Sequence, residues 1–187
     1  MLYSQAEKLI KDADVLAFRG SHFFSKLIKL RTLARVSHVG FALRILDRLC
    51  VLEAVEGVGV RLFPLDKHLN RGARVDWYQL DDTHYAVSRD KVIRFVLYVW
   101  GAEYAKWSQF LRSWGFLSRR IADFWGLSMD MDEGRWFCSE LVMAGLRDGG
   151  YTGEGYERES AATSPAEIIE LPCLRRMGRL DLKERVG

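Results

Sequence analysis

Four strand-like stretches, Val36–Leu43, Leu49–Val55, Val58–Leu62 and Arg74–Leu80, follow one another with short connections between them. Parallel neighbours need crossovers of roughly a dozen residues or more, so this spacing predicts an antiparallel meander. Gly57 and Gly59 suit the sharp connection between the second and third stretches. Ahead of the meander the sequence predicts a short helix over 4–11, an apolar strand from Asp14 to Phe18, and a helix over 22–33 with Ser21 as N-cap. Beyond it the period turns helical. Ser88 with Asp90 opens a helix to about Trp100, and a second helical stretch covers 104–125. A third helix runs from about Phe137 to Asp148 and stops at Gly149-Gly150. Ser164-Pro165 then starts a short helix over Ala166 to Glu170. Strands grouped together and helices grouped together give an α+β domain, with the meander packed against helices.

The 187 residues, 49% apolar and 28% charged, suit one globular domain over 1–187 with a core that needs neither disulfides nor a structural metal. A net charge of +3 gives no electrostatic pull toward nucleic acid. The pairs Arg119-Arg120 and Arg175-Arg176 read as solvated faces. Cys50, Cys138 and Cys173 are odd in number, widely spaced and without a CxxC pair, which argues against a disulfide framework and a zinc knuckle. No cofactor is implied. The N-terminus lacks an unbroken apolar stretch behind a basic start, and no run reaches the ~18 apolar residues of a membrane span. The expectation is a cytoplasmic protein; its oligomeric state is not legible.

Three residues could carry chemistry together. Cys138 falls in the first turn of a predicted helix, where unpaired backbone N–H groups and the macrodipole favour a thiolate. Leu141 and Val142 put it also on the helix's apolar face, so a buried structural cysteine is the competing reading. His38 is the one histidine inside a predicted strand, with Gly40 leaving open space two residues on; His22 falls in a helix's first turn, and His68 and His84 lie in polar, loop-like stretches. A half-exposed histidine on the sheet's wet side is the alternative. Glu53 interrupts the otherwise apolar Val51-Leu52-Glu53-Ala54-Val55, where an unpaired carboxylate is expensive to bury. A hairpin turning at Ile45-Leu46 places His38 and Glu53 at equal distances from the turn, directly opposed on one face; a shift of two residues makes them diagonal neighbours. A carboxylate fixing one imidazole nitrogen leaves the other free to deprotonate a thiol.

Five stretches follow in order: Ala13-Asp14-Val15-Leu16-Ala17-Phe18-Arg19-Gly20, Ser37-His38-Val39-Gly40, Leu52-Glu53-Ala54, Gly59-Val60-Arg61-Leu62-Phe63-Pro64-Leu65 and Phe137-Cys138-Ser139-Glu140-Leu141-Val142. Their order resembles the YiiX-like branch of the NlpC-type cysteine peptidase superfamily, with lecithin–retinol acyltransferase proteins as more distant relatives. The resemblance implies a circularly permuted papain-like fold with the nucleophile Cys138 at a helix N-terminus, His38 as base and Glu53 as orienting residue. Gly101-Ala102-Glu103-Tyr104 is similar to an element whose tyrosine approaches the cleft in some relatives, which implies substrate contact for Tyr104. Two positions depart from the pattern: Ala13 stands for a glycine, and Ala105 for an aspartate that usually follows the tyrosine.

Three functions follow as expectations. The first is a thiol hydrolase cleaving a peptide-like, cell-wall-derived type of amide through a thioacyl-enzyme. The second is a lipid-directed acyltransferase or lipase with the same triad, its aromatic stretch over 98–125 making peripheral membrane contact or lining an acyl pocket. The third is a catalytically silent binding module. For that aromatic stretch, packing between helices and sheet is the plainer reading.

Overall fold

The computed structural model describes residues 1–20, 36–104, 135–157 and 163–182. In chain order the elements are α1 (Tyr3–Ala6), β1 (Val15–Arg19), β2 (His38–Ile45), β3 (Arg48–Val55), β4 (Gly59–Pro64), α2 (Leu65–Asn70), β5 (Arg74–Leu80) and α3 (Arg89–Tyr98). They continue with β6 (Glu103–Tyr104), β7 (Arg135–Trp136), α4 (Cys138–Asp148), α5 (Pro165–Ile168) and β8 (Leu174–Leu180). The helices expected over 22–33 and 104–125 lie outside the described residues, except that Tyr104 belongs to the strand β6. The helix expected over 4–11 is shorter, ending at Ala6.

Six strands form one antiparallel sheet in the order β4-β3-β2-β1-β5-β8. The expected meander holds for β2-β3-β4 and then breaks. The residues between β4 and β5 fold into α2, which carries the chain to the far side of β1, so β5 pairs with β1 rather than with β4. The edge strand β8 was not anticipated, because arginines and Gly178 hide its alternation.

Strand alternation buries both faces. Val15, Ala17, Val39, Phe41, Leu43, Leu52 and Ala54 join the core beneath α3, α4 and α5. Leu16, Phe18, Ala42, Leu49, Val51 and Trp77 join a second core with Ala6 of α1 and Leu65 and Leu69 of α2. Helix α4 lies tightly on β2, since a Cβ at Gly145 would stand 2.8 Å from the Phe41 ring. Buried Asp14 joins β1, β5 and α3. It accepts from Trp77 Nε1 at 2.8 Å, Leu80 N at 3.1 Å and Arg89 Nη1 at 2.8 Å. Its motif position is thus a structural one. Among the described residues no helix is long and apolar enough to cross a membrane.

The register of β2 on β3 places the site. The loop is Leu46-Asp47, with Ile45 paired to Arg48 and Phe41 to Leu52. Leu46 adopts a left-handed φ of 52°, as tight two-residue hairpins require. The turn lies one residue beyond the expected one, so His38 and Glu53 are diagonal neighbours on one face rather than directly opposed. Gly40 takes the position facing Glu53. A Cβ there would come within 2.8 Å of the Leu52 carbonyl oxygen and 3.1 Å of Glu53 Cβ. Gly40→Ala is therefore expected to cost about 1–3 kcal/mol by overpacking against backbone that cannot yield. Chemical denaturation checks it, and an unchanged midpoint would contradict this register.

Candidate functional site

Glu53, fully buried, is the centre of a polar cluster on the sheet face that carries α2. Its Oε2 accepts from His38 Nε2 at 2.7 Å. Its Oε1 accepts from Arg61 Nε at 3.0 Å and Nη2 at 2.8 Å, and from His68 Nε2 at 3.1 Å. An ionised carboxylate only accepts, so both imidazoles present N–H at Nε2. Burial disfavours the charged carboxylate, but hydrogen bonds from His38 and His68, with their charges, outweigh it and hold Glu53 well below the usual carboxylate range.

Each donor arrives from a different element. Arg61 lies directly across the β3–β4 hairpin from Glu53. His68 sits on α2, buried between Leu65 and Leu69, which pack into the second core. Phe18 closes the cluster, its ring centroid 5.3 Å from that of His38 and 5.0 Å from that of His68. Phe63 stands 4.6 Å from the His68 ring and beneath the Arg61 guanidinium at 4.7 Å. The sequence reading missed Arg61 and placed His68 in a loop. The equal spacing of Glu53 and Arg61 about Gly57 was the signal for the first. The Leu65-His68-Leu69 spacing, one face of a helix, was the signal for the second.

His38 is the first residue of β2, so its ring stands at the end of the sheet. There Ser37 Oγ donates to the Gly20 carbonyl oxygen at 2.8 Å and ties the start of β2 to the end of β1. Helix α4 covers the opposite face of the sheet, and Cys138 is its first residue. Cys138 and His38 meet at that end. Burial works against a charged imidazole, yet the Cys138 sulfur, through its charge and a hydrogen bond, and then Glu53 push the His38 pKa up to about 10. Imidazolium is the form this environment favours at neutral pH.

Glu140 has a separate role. Its Oε2 accepts from the Phe137 N–H at 3.2 Å and caps α4. Burial pushes its carboxyl pKa up, and the hydrogen bond opposes that rise. The strands β6 and β7 run parallel, and their backbone places Tyr104 beside Trp136, two residues ahead of Cys138. The Tyr104 side chain lies outside the described residues. Cys50 on β3 and Cys173 ahead of β8 are buried free thiols outside this cluster; burial raises the thiol pKa of both, that of Cys173 to about 12.

Comparison with protein-family models gives no match, and no curated protein matches either. Among solved structures the chain is similar to metalloprotein yiiX from Escherichia coli O157:H7. The TM-score is 0.62 at 16% identity, over 92% of this chain and 98% of that one. The chain has a YiiX-like fold. That neighbour's name raises the question of a metal. Among the described residues no group of three or more His, Cys, Asp or Glu side chains could hold a metal ion. The Nε2 atoms of His38 and His68 already donate to Glu53, and Arg61 places a fixed positive charge on the same carboxylate. The described residues do not fit a metal.

The Glu53 cluster should be visible in acid. A carboxyl whose folded pKa is depressed stabilises the fold above its unfolded value and loses that contribution as pH falls below it. Wild type should therefore exceed Glu53→Gln in stability by the largest margin near neutral pH. The margin should shrink as pH falls below about 4.5, the unperturbed value. A margin independent of pH in urea titrations would remove the charge from the argument.

Proposed function

We propose that this chain is a cysteine hydrolase of the NlpC-type superfamily, on a circularly permuted papain-like fold, cleaving peptide-like amides through a thioacyl-enzyme. One observation carries the reading: Cys138, at the start of a helix, interacts with an imidazole whose Nε2 is fixed by buried Glu53.

With Nε2 committed to Glu53, Nδ1 is the nitrogen left for the thiol. The Cys138 thiolate attacks the substrate carbonyl carbon, forming the C–S bond and placing charge on the carbonyl oxygen. The Phe137 N–H is taken by Glu140, and the Leu141 N–H bonds to the Phe137 carbonyl. The reading gives the oxyanion to the N–H groups of Cys138 and Ser139 at the helix start. As the C–N bond breaks, the His38 imidazolium donates its proton to the leaving amine. Neutral His38 then takes a proton from water, whose oxygen attacks the thioester carbon and releases the acid and Cys138. Glu53 stays ionised throughout and holds the imidazole in orientation.

Turnover and melting temperature measured on the same proteins test this reading. Cys138→Ser replaces one atom and should shift stability by less than about 1.5 kcal/mol. Its hydrolysis of an amide or activated ester should fall by several orders of magnitude, because a hydroxyl beside a thiol-tuned imidazole is a much weaker nucleophile. Glu53→Gln should lose less turnover per folded molecule, since the bond-forming atom remains. A Cys138→Ser protein that retains wild-type turnover would sink the mechanism.

A further inference from the structure

A second polar cluster lies on the sheet face covered by α4, at the same sheet end as His38. Asp76 of β5 is fully buried, and three arginines converge on it. Arg19 Nε donates to its Oδ2, Arg176 Nη2 stands 3.4 Å from Oδ2, and Arg179 Nε stands 3.7 Å from Oδ1. A fourth, Arg74, is paired directly across the β1–β5 ladder from Arg19. A register shift between Trp77 and Tyr78 lets Arg176 and Arg179, three residues apart, reach one face of β8.

Asp76 does not account for this cluster. Like charges directly opposed on a sheet destabilise it, and among the described residues the one Asp76 carboxylate serves three guanidinium groups with a fourth arginine, Arg74, opposed to Arg19. The buried Asp76 Oδ1 and Arg179 Nε nevertheless make no hydrogen bond, so the geometry is not that of a closed ion-pair network. The heads of Arg176 and Arg179 are open to solvent, at 51% and 33% exposure. A groove of about 320 Å³ beside Arg179 is lined by Arg74, Arg179 and Asp181 together with Leu69, Leu180 and Leu182, and Asp181 already faces the N-terminal ammonium at 3.7 Å.

The cluster shares the α4 face of the sheet with the candidate nucleophile Cys138. Phe18 of β1 is paired with His38 on one side and with Val75 on the other. Neighbouring strands lie about 4.8 Å apart, so the Asp76 backbone stands roughly 10 Å from that of His38 across two strand spacings, with Asp76 on the α4 face and the His38 ring on the other. Arginine side chains span much of that gap and match carboxylate or phosphate oxygens with paired N–H groups. We propose that Arg19, Arg176 and Arg179, backed by Asp76, form an anion subsite that selects substrates with a carboxylate or phosphoryl group a few bonds from the scissile carbonyl. This deepens the hydrolase reading and rests on it for the word substrate; the anion site itself does not.

Two arms separate the claims. In Cys138→Ala protein at low salt, calorimetric titration with adipate and with inorganic phosphate should show saturable binding of at least one, and which one distinguishes the two anions. Arg176→Gln/Arg179→Gln should weaken that binding by about tenfold or more, while Arg176→Lys/Arg179→Lys should keep part of it. No saturable binding of either anion, or equal binding by the glutamine double variant with an unchanged melting temperature, would overturn the subsite. In wild type, kcat/KM for the p-nitrophenyl monoester of adipate should exceed that for p-nitrophenyl hexanoate. That ratio should drop by about tenfold in the glutamine double variant. An unchanged ratio would overturn the selection of anionic substrates. Anion binding with neither ester hydrolysed would uphold the subsite and count against the hydrolase.

Discussion

The site depends on one carboxylate buried without exposure. Burying an ion in low dielectric costs several kcal/mol, and only well-formed partners offset it. Glu53 has three, His38, Arg61 and His68, from β2, β4 and α2. Because the partners come from separate elements, the carboxylate fixes where the β2–β3–β4 hairpins and the short α2 meet. Removing a partner leaves an uncompensated charge, typically a loss of about 3–5 kcal/mol. The chemistry ascribed to His38 is thus built on an interaction the fold also needs.

Much of this was legible in the sequence, for reasons of parity. Side chains alternate along a strand, so a shift of two residues moves neighbours without changing faces. The hairpin turns at Leu46-Asp47, one residue past the expected place, and His38 still reaches Glu53, now diagonally past Gly40. The helix expected from about Phe137 to Asp148 is α4, its end legible from Gly149-Gly150, and the Ser88 cap of α3 was also correctly placed. The path after β4 was not. A helix as short as α2 carries too little periodicity to distinguish it from a loop, so His68 was misplaced and the meander was drawn one strand too long. Charged residues concealed β8: Arg175 and Arg176 are solvated as expected, but on a strand.

The three cysteines show how position divides one residue type into different chemistries. At Cys50 and Cys173 burial is the largest influence and opposes ionisation. Cys138 is equally buried but starts a helix and interacts with an imidazole that carries a buried counter-charge. The arginines around Asp76 add a positive surface at the same sheet end. A YiiX-like sheet thereby brings a buried carboxylate–imidazole–thiol chain and an open cationic patch to adjoining places.

The coupling between Cys138 and His38 is the central claim, and alkylation rates test it without knowledge of the substrate. Iodoacetamide at low concentration and neutral pH, followed by peptide mass analysis, reports each thiol separately. Cys138 should be modified well ahead of Cys50 and Cys173 in wild type. His38→Ala should slow modification of Cys138 by about tenfold or more, in line with the loss of a paired positive charge. Equal rates at Cys138 in the two proteins, with both folded, would contradict the pairing on which the account rests.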